Sequence, residues 1–284
     1  MLGTVVAVLH TGQAFTIRAV DRPYDLHRPV PVTTLTIEHR DWPGNRFSLW
    51  LPETVYEAGQ IVWCNFSGGD VRQRWEVEEG GALVCRTPVE GLELVSSLLP
   101  DEGGNALWIS HTFRNTSDRL RSLLSTQSCF HLVDAPQFIS VFGERIWAKL
   151  DGEWTSTDRV GRQASPDPRR VSFCRHRLRP ERVVVPNLSF PSAELLEEAY
   201  HPVIVAEAFD GRGAVGIGQR DFRLLFNNND PILRCIHSEP KPITTLEPSA
   251  TAVQEGLIVF DRGDHEALVM HWERLAHDRW GWTE

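Results

Sequence analysis

Between Asn105 and Phe138 the chain reads NALWISHTFRNTSDRLRSLLSTQSCFHLVDAPQF, and the alternation within it limits the fold more than any other feature. Leu107, Ile109, His111 and Phe113 alternate with Trp108, Ser110 and Thr112, the period of a strand with two differently dressed faces. Asn115-Thr116-Ser117-Asp118 then gives a run of short polar side chains that bond their own backbone and favour turns. A second apolar and β-branched run extends from Leu120 to Val133. Its length would admit a short helix, but the expectation is a hairpin formed by the two runs.

The same period recurs along the chain. VVAVL, FTIRAV, TTLTIEHR and RFSLWLP read as strands, with Pro punctuation that confines such segments to edges and turns. IVWCNFSG, RQRWEVEEGGALVCRTP and GLELVSSLLP follow at even spacing, with Glu79-Gly80-Gly81-Ala82 as a hairpin turn and Asp151-Gly152 as another. Residues 158–182 are polar and rich in Arg, without a sustained period, and read as a long surface loop with a small strand at VSFCRH. Ser192 to Tyr200, SAELLEEAY, makes the clearest helical case, because Ser192 can cap it and Leu195, Leu196 and Ala199 share a face. The glycines from Gly211 to Gly218 lack the βαβ context of a dinucleotide site. RLLFNNNDPILRCIHSEP reads as a polar loop, and TAVQEGLIVF and ALVMHWERL as closing strands. The expected fold is all-β: a large antiparallel sandwich with one short helix, spanning residues 1–284 as a single domain.

Charge and cysteine usage narrow the function. A net charge of −9 with no basic block argues against a nucleic-acid partner. The segment from Met1 to Phe15 has no basic leader, so a first strand is expected there and not a signal peptide or membrane span. Five cysteines with no CxxC do not form a disulfide framework, which fits a reducing, cytoplasmic setting. Ten tryptophans fill sandwich cores well, and their faces also suit the C–H face of a pyranose.

The segment from Asn105 to Phe138 resembles the centre of the galactose mutarotase-like sandwich proteins, which act on or bind carbohydrates. In the aldose 1-epimerases of that superfamily it reads roughly TN-x-T and then NLTNHxYFNL, the His serving as general acid toward the ring oxygen. Aligned on Asn115, that His falls near Gln127 or Ser128, while Phe130, His131 and Leu132 take the places of the second aromatic, the final Asn and the final Leu. CFHLVDAPQF together with NNNDPILRCIHSEP is similar to a bacterial group of mutarotase-like proteins that are not true aldose 1-epimerases. The resemblance implies a carbohydrate ligand and a cleft without the usual acid.

Two tripeptides carry the most chemistry: Cys129-Phe130-His131 and Cys235-Ile236-His237. On a strand, residues two apart share a face, so each sets a thiol beside an imidazole. Packing of Cys as a small hydrophobe, with His bonded to a carbonyl, explains each one alone. A Cys–His nucleophile pair and a four-ligand metal site built on both tripeptides are alternatives. Proton transfer on a sugar is assigned to His237, His131 and Glu239 as catalytic candidates, since imidazole titrates near neutrality. Arg145, Arg234, Asn228, Asn229, His111 and Trp42 are the candidate sugar contacts, Trp42 from a rim loop at residues 40–46. No cofactor and no metal are assigned. The rival to a carbohydrate-active isomerase or lyase is a non-catalytic carbohydrate-binding or interaction module.

Overall fold

Alternating β-branched and polar residues build nearly every element of the computed structural model, which describes residues 5–11, 14–23, 31–65, 73–150, 152–160, 170–175, 197–229 and 234–283. The first strands are β1 (Val5–Thr11), β2 (Phe15–Pro23), β3 (Pro31–His39), β4 (Phe47–Glu57), β5 (Gln60–Cys64), β6 (Trp75–Val77) and β7 (Leu83–Val89). After them come β8 (Leu92–Pro100), β9 (Ala106–Asn115), β10 (Arg121–His131), β11 (Ile146–Leu150) and β12 (Glu153–Ser156). A short helix, α1 (Thr157–Val160), precedes β13 (Arg170–Arg175), β14 (Glu197–Ala199), β15 (Val203–Glu207) and β16 (Ala214–Gln219). The chain closes with β17 (Phe222–Asn228), β18 (Cys235–Pro240), β19 (Ile243–Leu246), β20 (Thr251–Asp261) and helix α2 (His265–Trp280).

Two layers result. The first runs β1-β2-β3-β4-β10-β18-β17-β13, antiparallel throughout. The second runs β11-β15-β16-β20-β9-β8-β7-β6, again antiparallel. A parallel β13–β14 pair and a β14–β11 contact join them at one side. Ile17, Leu35, Leu49, Phe130 and Ile236 from the first layer meet Leu98, Leu107, Ile109, Ile217 and Phe260 from the second in one buried core. Phe260 lies edge-on to Phe47 and Phe130, with ring centroids 5.3 and 6.4 Å away. Offset and edge-to-face contacts of this kind add to area burial.

The central segment is an arch and not the expected hairpin. β9 pairs with β8 and β20, whereas β10 pairs with β4, β18 and β19, so the Asn115 turn carries the chain from one layer to the other. The turn itself has the local chemistry expected of it: Asn115 Oδ1 accepts from the backbone N–H of Ser117 at 3.0 Å. Alternation alone specifies strands and faces; the choice of partner depends on which layer the turn feeds.

Helix α2 replaces the strand expected at ALVMHWERL. Asp264 caps it by accepting from Ala267 N at 3.0 Å, and Gly281 ends it in the left-handed region at φ 64. Leu268, Val269, Trp272, Leu275 and Ala276 pack on Trp108, Val203, Val205, Leu257 and Val259, the outward side chains of the second layer. The central strands of that layer are therefore buried on both faces. The helix expected from Ser192 to Tyr200 falls mainly outside the described residues, and its end is the strand Glu197–Ala199. RLLFNNNDPILRCIHSEP supplies β17 and β18 where a polar loop was expected. Among the described residues no helix is long and apolar enough to cross a membrane.

Candidate functional site

The outward face of β10 and β18 is polar, while Phe130 and Ile236 on the inward face are apolar. Phe130 opposes Ile236 and both point into the core, so the residues on either side of them point the other way. His131 opposes Cys235, and the same register sets Cys129 against His237. Gln127 extends this face along β10, as Glu239 does along β18. All six side chains are buried. A row of polar groups out of water on a sheet surface is costly unless each is hydrogen-bonded.

Around the tripeptides the contacts are close. His237 Nε2 lies 2.9 Å from Cys235 Sγ and 3.3 Å from Cys129 Sγ. Phe226, opposite His237 on β17, stacks on its ring with centroids 3.8 Å apart. The His131 ring sits against Trp50, centroids 4.3 Å apart, and its Nε2 has no hydrogen-bond partner among the described residues. Burial lowers the His131 pKa to about 4, so the imidazole is neutral at neutral pH. The Cys129 thiol is pushed well up by burial, and by its hydrogen bond and charge coupling with Cys235.

Farther along the face lie two carboxyl groups. Glu239 is held by Arg223 at 2.7 Å, yet its pKa is raised because desolvation outweighs that ion pair; its Oε1 has no hydrogen-bond partner among the described residues. Glu53, half-buried on β4, accepts from Gln127 Nε2 at 2.7 Å, and Tyr56 donates its hydroxyl to Gln127 Oε1 at 2.8 Å. Desolvation pushes Glu53 up to about 8 against the Gln127 hydrogen bond, with the charge of Glu239 adding to the rise. Glu53 reaches this place through a bulge, since Gln127 opposes Thr54 while Cys129 opposes Trp50.

His131, His237 and Glu239 thus share one face, and Asn228, opposite Cys235 on β17, stands next to them. Asn229, just past the end of β17, accepts from Asn227 Nδ2 at 2.9 Å and lies where a side chain on Gly143 would meet its amide. Arg145, two residues beyond Gly143, bonds the Ile139 carbonyl and pairs with Glu144 at 3.3 Å. Arg234 precedes Cys235, and its carbonyl accepts from Leu132 N at 2.8 Å.

His111 and Trp42 lie elsewhere. His111 is between the layers, 2.9 Å from Ser96 Oγ and 3.3 Å from Ser128 Oγ. Trp42 packs on His39, Phe138 and Phe260 in the core instead of forming a rim. His111 was expected to face a ligand because a period of two says which residues share a face but not which face is inside; Trp42 was expected at a rim because turn composition places a loop without saying where its aromatic side chain packs.

Glu53, Tyr56, Arg223 and Phe226 were not singled out from sequence, and Gln127 was named only as a position where the family's His falls. Gln127 was legible, standing two residues before Cys129 on one strand; Glu53 was not, because the bulge that delivers it leaves no periodic trace.

No family model matches the sequence, and no curated protein matches it. Solved structures do match in fold. The Slr1438 protein from Synechocystis sp. PCC 6803 aligns over 92% of this chain and 96% of its own, with a TM-score of 0.51 and 11% identity. A candidate aldose 1-epimerase from Escherichia coli K12 aligns over 91% of this chain and 99% of its own, with a TM-score of 0.50 and 12% identity. The GH36 α-galactosidase AgaA from Geobacillus stearothermophilus, a variant in complex with stachyose, aligns over 96% of this chain and 43% of its own, with a TM-score of 0.52 and 12% identity.

Proposed function

We propose that this chain, a galactose mutarotase-like sandwich in fold, binds a carbohydrate on the outward face of β10 and β18 and moves protons on it. One observation carries the reading: a row of buried polar side chains in which His131 Nε2 and Glu239 Oε1 lack hydrogen-bond partners among the described residues. Sugar hydroxyls both donate and accept, so a single ligand answers an imidazole nitrogen and a carboxylate oxygen together. Asn228 at one end and Arg223 with Glu239 at the other extend the same recognition.

Acid–base chemistry on a sugar needs one group that holds a proton and another that has lost it. Glu53, titrating at about 8, is protonated at neutral pH and serves as the donor. Glu239, whose carboxylate form Arg223 supports against the desolvation that raises its pKa, is the acceptor. His237 Nε2 is engaged with two thiols and takes no part in this transfer. A non-catalytic binding module is favoured by a different observation, the amide of Gln127. Ser128 turns inward to His111, so Gln127 is the outward residue at the place where the family resemblance puts the general acid.

Saturation-transfer NMR with glucose, galactose and their methyl glycosides tests binding. The expected result is transfer to the sugar in the wild type and loss of roughly tenfold in affinity for Asn228→Ala, the size of one lost neutral hydrogen bond. No transfer to any of these sugars would count against the proposal. Turnover of a sugar by the wild type that Glu53→Gln abolishes separates the enzyme from the binding module.

A further inference from the structure

We propose that Cys129, Cys235 and His237 hold a divalent cation of the zinc class, through two thiolate sulfurs and Nε2. Their three ligand atoms lie within 4.8 Å of one another and all three side chains are buried. At zinc–sulfur and zinc–nitrogen bonds of about 2.3 and 2.0 Å, tetrahedral ligands stand roughly 3.5–3.8 Å apart, so the cluster needs only a small opening to admit the ion.

Hydrogen bonding joins the three groups only as a chain, Cys129 to Cys235 and Cys235 to His237 Nε2, and leaves the Cys129–His237 contact at 3.3 Å without a proton of its own. One ring nitrogen offers either a single lone pair or a single N–H, yet His237 Nε2 is within 3.3 Å of both sulfurs. A cation at the shared position satisfies all three at once. Charge fits as well: two thiolates and a neutral imidazole cancel a divalent charge, which a buried site requires. Binding releases the two thiol protons to solvent and changes no oxidation state.

Antiparallel geometry explains how two C-x-H tripeptides can do this without the tight turns of zinc fingers. Opposed residues on neighbouring strands have Cβ atoms about 4.5–5.5 Å apart, which suits an edge of a tetrahedron. His131, opposite Cys235 in the same two-by-two block, adds a buried nitrogen without a hydrogen-bond partner among the described residues. Its nitrogens fall outside the 4.8 Å cluster, so the described residues supply three ligands and leave the fourth position to solvent or a bound molecule. This inference stands independently of sugar binding.

The full chain, reduced and stripped with a chelator, is titrated with Co²⁺ and then with Zn²⁺. A single equivalent of cobalt is expected to give thiolate-to-metal charge-transfer bands and intense visible bands, which zinc displaces while raising Tm. C129S and C235S lose the charge-transfer intensity, and C64S keeps it. Zinc K-edge absorption of the wild type, which needs no variant to fold, is expected to fit two sulfur ligands. Absence of the cobalt bands, equal bands in C129S and C235S, or a zinc shell without sulfur overturns the proposal.

Discussion

The His111 imidazole on β9 reaches across the sandwich to Ser128 on β10, Nε2 to Oγ at 3.3 Å, and Ser96 holds its other nitrogen. This contact bridges the two layers and makes His111 a structural residue of the interior. It also fixes the facing of β10, because an inward Ser128 requires an outward Gln127 and Cys129.

Acid stability follows from that burial. Desolvation lowers the His111 pKa to about 3, below its ordinary value, so the folded state favours the neutral ring. The contribution is complete above pH 6.5 and is lost as pH falls from there toward 3, at up to about 1.4 kcal/mol per unit. Urea unfolding midpoints between pH 7 and 4 should fall in the wild type and fall less in His111→Gln. Parallel curves would show that other groups govern acid unfolding.

The cover of the second layer is testable through α2. Trp272 is fully buried against the sheet, and a side chain on Gly218 would strike both its ring and Val203. Trp272→Ala should cost about 3–5 kcal/mol, and Gly218→Ala about 1–3 kcal/mol by overpacking. Chemical denaturation at neutral pH gives both values.

Glu53 makes a pH prediction of opposite sign to that of His111. Its carboxyl is raised to about 8, so it favours the fold in its protonated form, and that preference is lost as pH rises from 4.5 through 8. Tm should decline over this window in the wild type and hold level in Glu53→Gln. Any turnover on a sugar should weaken over the upper part of the same window and vanish in Glu53→Gln, read by rate against pH.

Ordinary aldose mutarotation should proceed at the buffer rate. The outward residue at the relevant place is Gln127, held between Glu53 and Tyr56, and an amide does not titrate. Polarimetry of freshly dissolved glucose and galactose decides this; a clear excess over buffer would assign the role to another group, Glu53 first.

Most strands, their face-sharing and the local turns were determined by the sequence alone, with β17 and β18 among the exceptions. A period of two needs only consecutive residues, so Cys129 and His131 were bound to share a face, as were Cys235 and His237. Helix α2 is equally encoded, with Asp264 to start it, Leu268, Trp272, Leu275 and Ala276 on one side and Gly281 to stop it, although ALVMHWERL without its caps also suits a strand. Tertiary structure decided what depends on partners distant in the chain. It sent β9 and β10 to different layers, so that His111 went inside, and it paired β10 with β18 in the register that brings Cys129, Cys235 and His237 together. It also placed Glu53 beside Gln127 through a bulge. Periodicity carries no information on strand partners or bulges, because these are chosen by the packing of the whole core.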